Sequence, residues 1–205
     1  MEAHEAHELG DKIAESAHEA HLDERFRRGA AVVLGVMAML LAIASLFGEA
    51  AMKETINLNI QVSDTYAFYQ AKNERQTATQ LAADQMEILA AAHPEWPAAV
   101  RESMAKRIEQ YRATVQYYES DPKGGEGKKE LFVKARTYQE KRDHAQRQDL
   151  NYDYARAIFQ IALVLGSVAI VSLSRWLLWF GCGLAGIATL LTVNGYLLLV
   201  PLPFD

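Results

Sequence analysis

The sequence is poor in residues that crosslink or punctuate a chain. Of its 205 residues only Cys182 is a cysteine, so no intrachain disulfide can form and the redox compartment stays open. Five prolines and twelve glycines leave long stretches with nothing to stop a helix; Glu49 to Ala92 holds neither. No segment alternates apolar and polar residues over strand length, which argues against a sheet. The net charge is −5 with no basic run, so nothing could track a phosphate backbone and nucleic acid is not an expected partner. Catalytic pairings are missing as well. Gly124-Gly125-Glu126-Gly127-Lys128-Lys129 lacks the preceding strand and the G-x-x-x-x-G-K-[ST] spacing of a phosphate loop, and reads as a turn. The hydroxyl, carboxylate and phenols of Ser63–Tyr69 have His93 as their nearest histidine, so packing explains Tyr66 and Tyr69 better than nucleophilic chemistry. No enzyme and no cofactor are expected.

What is present is sharply segregated. Hydrophobic residues make up 50% and charged residues 23%, and the two kinds occupy different parts of the chain. Gly29–Gly48 and Trp176–Val200 carry no charge; at 1.5 Å per residue each covers the roughly 30 Å hydrocarbon core of a bilayer. A shorter apolar stretch from Ala157 to Ser174 holds Gln160 and Ser167. The pattern predicts an all-α integral membrane protein with three transmembrane helices, at 29–48, 155–174 and 176–200. A long helical, coiled-coil-like extramembrane insert occupies 49–154, and an acidic His/Glu-rich tail occupies 1–28. The last two spans form a hairpin, with Trp176 and Trp179 at headgroup level. The first apolar stretch is too long for the core of a signal peptide and is expected to stay as an anchor.

Arg25, Arg27 and Arg28 precede the first span and Arg175 lies in the hairpin turn. Positive charges favour the cytoplasmic side, which places the N-terminus there. Lys53, Arg142, Arg147 and Arg156 oppose that assignment, but charges on inserts longer than about 60 residues weigh less. The insert then lies outside.

Within the insert, His93-Pro94-Glu95-Trp96-Pro97 and Asp121–Gly127 break an otherwise helical pattern. Between them Val100, Met104, Ile108, Tyr111, Val115 and Tyr118 form a seam at spacings of three and four. Leu131, Ala135 and Tyr138 continue it after the second break. The outgoing helix of about 44 residues spans about 66 Å, against about 74 Å for the two returning ones. That balance favours an antiparallel stalk with a broken return arm. The alternative is a compact bundle in which the outgoing helix breaks near Ser63-Asp64-Thr65.

The tail carries His4, His7, His18 and His21, which a helix would bring to one face among Glu2, Glu5, Glu8, Glu15 and Glu19. Two imidazoles one turn apart can chelate a divalent ion such as Zn²⁺ or Ni²⁺. The competing reading is a solvated acidic tail with a duplicated EAHEA repeat.

The stretch Asn57–Lys72 (NLNIQVSDTYAFYQAK) resembles the signature of a bacterial family of uncharacterised membrane proteins known only by a domain-of-unknown-function label. The His/Glu-rich start, the first span and the terminal pair of spans resemble it too. The resemblance implies a bacterial inner-membrane protein, so that the insert placed outside by the flanking charges would be periplasmic; it brings no activity, cofactor or catalytic residue.

Small residues recur along every span: Ala31, Gly35, Ala38, Ala42 and Ser45; Ala162, Gly166 and Ala169; Gly181, Ala185, Ala188 and Thr192. Such stripes let helix backbones approach in lipid, within one chain or between copies. No charged residue lies in a span core, which argues against a pump. The function expected is therefore a membrane-anchored helical scaffold, as a homo-oligomer or an accessory of a larger membrane complex. The alternative is a passive channel lined by Thr189, Thr192 and Asn194, or a divalent-metal-handling protein using the histidine tail.

Overall fold

The computed structural model describes residues 2–201, with side chains for 21 and 23–201. Its elements are all helices: α1 (Glu2–Ala92), α2 (Ala98–Glu119), α3 (Lys128–Ser172) and α4 (Arg175–Leu197). Three of them, α1, α3 and α4, are long and apolar enough to cross a membrane.

The helix ends follow from local chemistry. Pro94 disfavours helical geometry at His93, and α1 stops at Ala92. Pro97 caps the next helix with φ −54°, and its carbonyl accepts from the amides of Val100 and Arg101 at 3.0 and 3.2 Å. At the α3–α4 turn Leu173 takes φ 52°, a left-handed helix stop that lets Ser174 N–H reach back to the Ala169 carbonyl at 3.1 Å. The Ser174 hydroxyl then accepts from Leu177 N–H and opens α4. By contrast, Ser63-Asp64-Thr65 does not interrupt α1. Thr65 Oγ1 donates to the Gln61 carbonyl at 2.6 Å, so its hydroxyl is satisfied on the helix itself.

The chain divides into two compact units, one of residues 1–53 with 145–205 and the other of 54–144. The first contains the apolar spans. It also holds the turns just past them, because Phe47 stacks on Tyr152 at 5.9 Å and Asn194 Nδ2 donates to Asn151 Oδ1 at 2.7 Å. Its core is Met37, Ala44, Ala155, Phe159, Ala162, Ala185 and Ala188. On α1 the buried positions Ala30, Met37, Ala44 and Ala51 recur every seven residues. On α3 Tyr152, Ala155, Phe159, Ala162, Gly166 and Ala169 alternate steps of three and four, the spacing of helices packed at a shallow crossing. Two of the three small-residue stripes face inward. The third does not: Ala31, Gly35, Ala38 and Ala42 are exposed.

In the second unit α1 lies antiparallel to α2 and then to the start of α3. Arg112 of α2 reaches Asp84 at 2.8 Å and Glu87 at 2.9 Å. Nearer the joint, Gln76 Nε2 donates to the Val115 carbonyl. Beyond it Tyr69 meets Phe132 of α3, ring centroids 6.3 Å apart, and the Tyr66 hydroxyl donates to Gln139 at 3.5 Å. The return arm is thus in two pieces laid along one helix. Val115, Leu131 and Ala135 are its buried seam residues, while Val100 at the far end is 43% exposed.

Candidate functional site

The joint between α2 and α3 begins with a residue on the inner face of α1. Leu58, Thr65 and Lys72 occupy successive seven-residue positions there and all are buried. Lys72 is the surprise, with a side chain only 6% exposed. Its ammonium lies 5.4 Å from the centre of the Phe68 ring, 5.3 Å from Tyr117 and 5.5 Å from Tyr118. Its acidic neighbour is Glu126 Oε2 at 3.7 Å. Ring faces carry partial negative charge and can replace part of the hydration that burial of the side chain removes.

A polar network adjoins it. Gln76 Nε2 donates to Glu119 Oε2 at 3.0 Å, and Lys128 Nζ donates to Gln76 Oε1 at 2.8 Å. The Gln76 hydrogen bond, with Lys128 and Lys129 beside it, holds the Glu119 carboxyl below its ordinary pKa. The connecting loop is closed from the other side. Glu130 accepts from Ser120 Oγ at 2.6 Å and from Asp121 N–H at 3.0 Å, which lowers its pKa in the same way. Asp121, close to the phenol of Tyr117, pushes that hydroxyl's pKa up. Gly125 turns the chain with φ 69°, a backbone region that costs a glycine nothing. Next to the network an open cleft of about 390 Å³ is lined by Tyr69, Glu119, Lys128, Lys129, Phe132 and Val133. The arrangement can hold three helical segments in one register and presents a basic, partly aromatic surface.

Other residues singled out by sequence fall elsewhere. The side chains of His4, His7 and His18 lie outside the described ones, and His21 is exposed. Among the described residues no group of three or more His, Cys, Asp or Glu could hold a metal. Thr189 and Thr192 hydroxyls donate to the carbonyls of Ala185 and Ala188 on their own helix. Asn194 does bond across helices, to Asn151, and also ties down Val200; Gln160 is exposed. Asn151, 1% exposed, gave no sign in the sequence because its burial depends on α4 packing over it. Asp149 nearby has a buried Oδ1 without a hydrogen bond, and burial raises its pKa against the pull of Arg156.

These features define an all-helical protein with three candidate membrane helices and a joint held by cation–aromatic contacts. The chain belongs to a family described as a domain of unknown function, DUF4337, whose model matches residues 26–198. The match leaves the His/Glu-rich start outside it. No curated protein and no solved structure matches the chain. The stretch Asn57–Lys72 lies wholly within α1 and supplies the inward-facing Leu58, Val62, Thr65 and Lys72.

Proposed function

We propose that this protein is a membrane-anchored helical scaffold that assembles as a homo-oligomer, alone or beside a larger complex, in a bacterial inner membrane. One observation carries the reading. The stripe Ala31, Gly35, Ala38 and Ala42 faces away from the chain's own bundle, and a Cβ added at Gly35 would meet nothing within 4 Å. A glycine inside a helix costs about 1 kcal/mol relative to alanine, and the chain makes no close approach that uses it. In lipid, where no hydrophobic effect drives helices together, small residues serve backbone-to-backbone contact. A second copy offers a matching stripe at the same depth. The N-terminus and the Arg175 turn lie in the cytoplasm and 49–154 in the periplasm, as the Arg25, Arg27 and Arg28 cluster favours.

The test is the mass and crosslinking pattern of the full chain in mild detergent, for wild type and for Gly35→Leu with Ala38→Leu. The double substitution adds bulk and hydrophobicity and so preserves insertion. Loss of the oligomer in the variant supports the reading; a wild-type monomer without partners, or unchanged assembly of the variant, sinks it. Labelling of Gly125→Cys in a Cys182→Ser background, reached from the periplasmic side only, checks the orientation.

A further inference from the structure

We infer that Lys72 is a latch: its charge, caged by Phe68, Tyr117, Tyr118 and Glu126, holds the α2–α3 joint closed on α1, and the joint opens locally when that charge is removed. The reading does not depend on oligomer formation. It rests on how α2 is tethered. One end of α2 is fixed to α1 by the short turn through Pro94 and Pro97. The other end runs into a loop that includes Gly124, Gly125 and Gly127, whose hydrogen bonds to Glu130 tie α2 to α3 and not to α1. Besides the hydrogen bonds from Gln76 to Val115 and Glu119, what fastens that end to α1 is contributed from three segments at once. Phe68 and Lys72 come from α1, Tyr117 and Tyr118 from the last turn of α2, and Glu126 from the loop.

The ammonium is the common partner of all of them. Each ring touches it at 5.3 to 5.5 Å, inside the range in which a cation is drawn to a ring face, and desolvation strengthens that attraction. Glu126, Tyr117 and Phe68 are 56%, 49% and 38% exposed, so the cage faces water on its outer side, while the Lys72 side chain inside it is only 6% exposed. The closed joint covers Val115 and Leu131, which are 7% and 3% exposed. Opening it would uncover both, so the latch gates an apolar face that the closed state hides.

The experiment removes the charge and returns it in trans. In the full chain in detergent, Lys72→Ala should speed amide exchange across 115–131 by about tenfold or more, the weight of a desolvated cation–π set. Exchange in the apolar spans should not change. Added n-propylammonium, which replaces the missing stem and charge, should slow exchange at the joint again. Neither 1-propanol nor potassium chloride at equal ionic strength should do so. Lys72→Arg should stay close to wild type, and Glu126→Gln should give a smaller acceleration confined to 120–127. Unchanged exchange in Lys72→Ala, failure of n-propylammonium, or equal rescue by 1-propanol would each overturn the proposal, the last because it would make packing the fastener. If Lys72→Ala loses its helical signal altogether, Lys72→Met decides. Acceleration limited to 115–131 upholds the latch, and wild-type exchange overturns it.

Discussion

The two compact units solve the same packing problem with different side chains. In the unit that holds the apolar spans, the buried positions are mostly alanine: Ala30, Ala44, Ala155, Ala162, Ala169, Ala185 and Ala188, with Phe159 as the large filler. In the 54–144 unit Ala83 and Ala135 are joined by the larger Leu58, Val62, Val115 and Leu131 and by Thr65 and Lys72, and ion pairs such as Arg112 with Asp84 lie at the margin. Under the membrane anchoring proposed above, the difference teaches what each surrounding medium rewards. In lipid, apolar area gains nothing by leaving a solvent as apolar as itself, so contact comes from backbones brought close over small residues. In water, larger aliphatic and aromatic groups are stabilised by burial at roughly 25 cal/mol per Å².

The sharpest break in that comparison is expected at Phe159, fully buried in a core whose other members are Met37 and five alanines. Phe159→Ala should cost about 3–5 kcal/mol, read as a fall in the thermal midpoint in detergent. Neighbours too small to fill the gap would leave the cavity open.

A second test sets one glycine against another on the same helix. At Gly195 an added Cβ would lie 2.9 Å from Tyr152 Cε1 and 3.1 Å from Asn151 Cβ, whereas at Gly183 it would meet nothing within 4 Å. Gly195→Ala should therefore lose about 1–3 kcal/mol, and Gly183→Ala should be neutral or gain from its better helix propensity. Equal effects at the two positions would remove the claim that close approach, and not glycine content, holds α4 in place.

In the other unit the marginal ion pairs should matter less. Arg112 is 41% exposed and is shared between Asp84 and Glu87, so solvent screening should make Arg112→Ala less costly than either core substitution above. Its effect should shrink further in salt.

The smallest expected effect is a pH dependence of the joint. The carboxyls of Glu119 and Glu130 are held below their ordinary value of 4.5 in the folded chain. A depressed carboxyl contributes stability above its unfolded pKa and loses it as pH falls through the folded one. The 54–144 unit should thus weaken below about pH 4.5. Glu130→Gln should flatten that loss, measured as exchange at 120–131 against pH; an identical slope in the variant would remove Glu130 from the account.

Much of the helical frame was legible in the chain. Pro94 and Pro97 end one helix and begin another, the Asp121–Gly127 loop separates α2 from α3, and Val115, Leu131 and Ala135 are buried where the three-and-four spacing places them. Periodicity is a local property and reads well. Facing is not local. Ala31-Gly35-Ala38 and Ala162-Gly166-Ala169 have the same chemistry, yet only the second points into the bundle, because which stripe is covered depends on where the other helices lie. Lys72 was hidden for a related reason. A lysine within a helix reads as solvated, and its burial requires Tyr117, Tyr118 and Glu126 from later in the chain. The seven-residue series from Leu58 through Thr65 was the one local hint that its side chain faces inward. For the histidine tail, three of the four side chains lie outside the described residues, and His21 by itself assembles no ligand set.

The α3–α4 turn has a consequence for how the protein is made. Leu173 and Ser174 are all that separate the two helices, and Ser174 is engaged on both sides, by its amide to Ala169 and by its hydroxyl to Leu177. A linker with no slack cannot let one apolar helix wait in water while its neighbour partitions into the bilayer. If α3 and α4 cross the bilayer as proposed, the pair must enter as one hydrophobic object, shielding its turn's polar groups as it goes. Lengthening this turn with a flexible insert would turn a single insertion event into two, and α4 could then be stranded after α3 had committed.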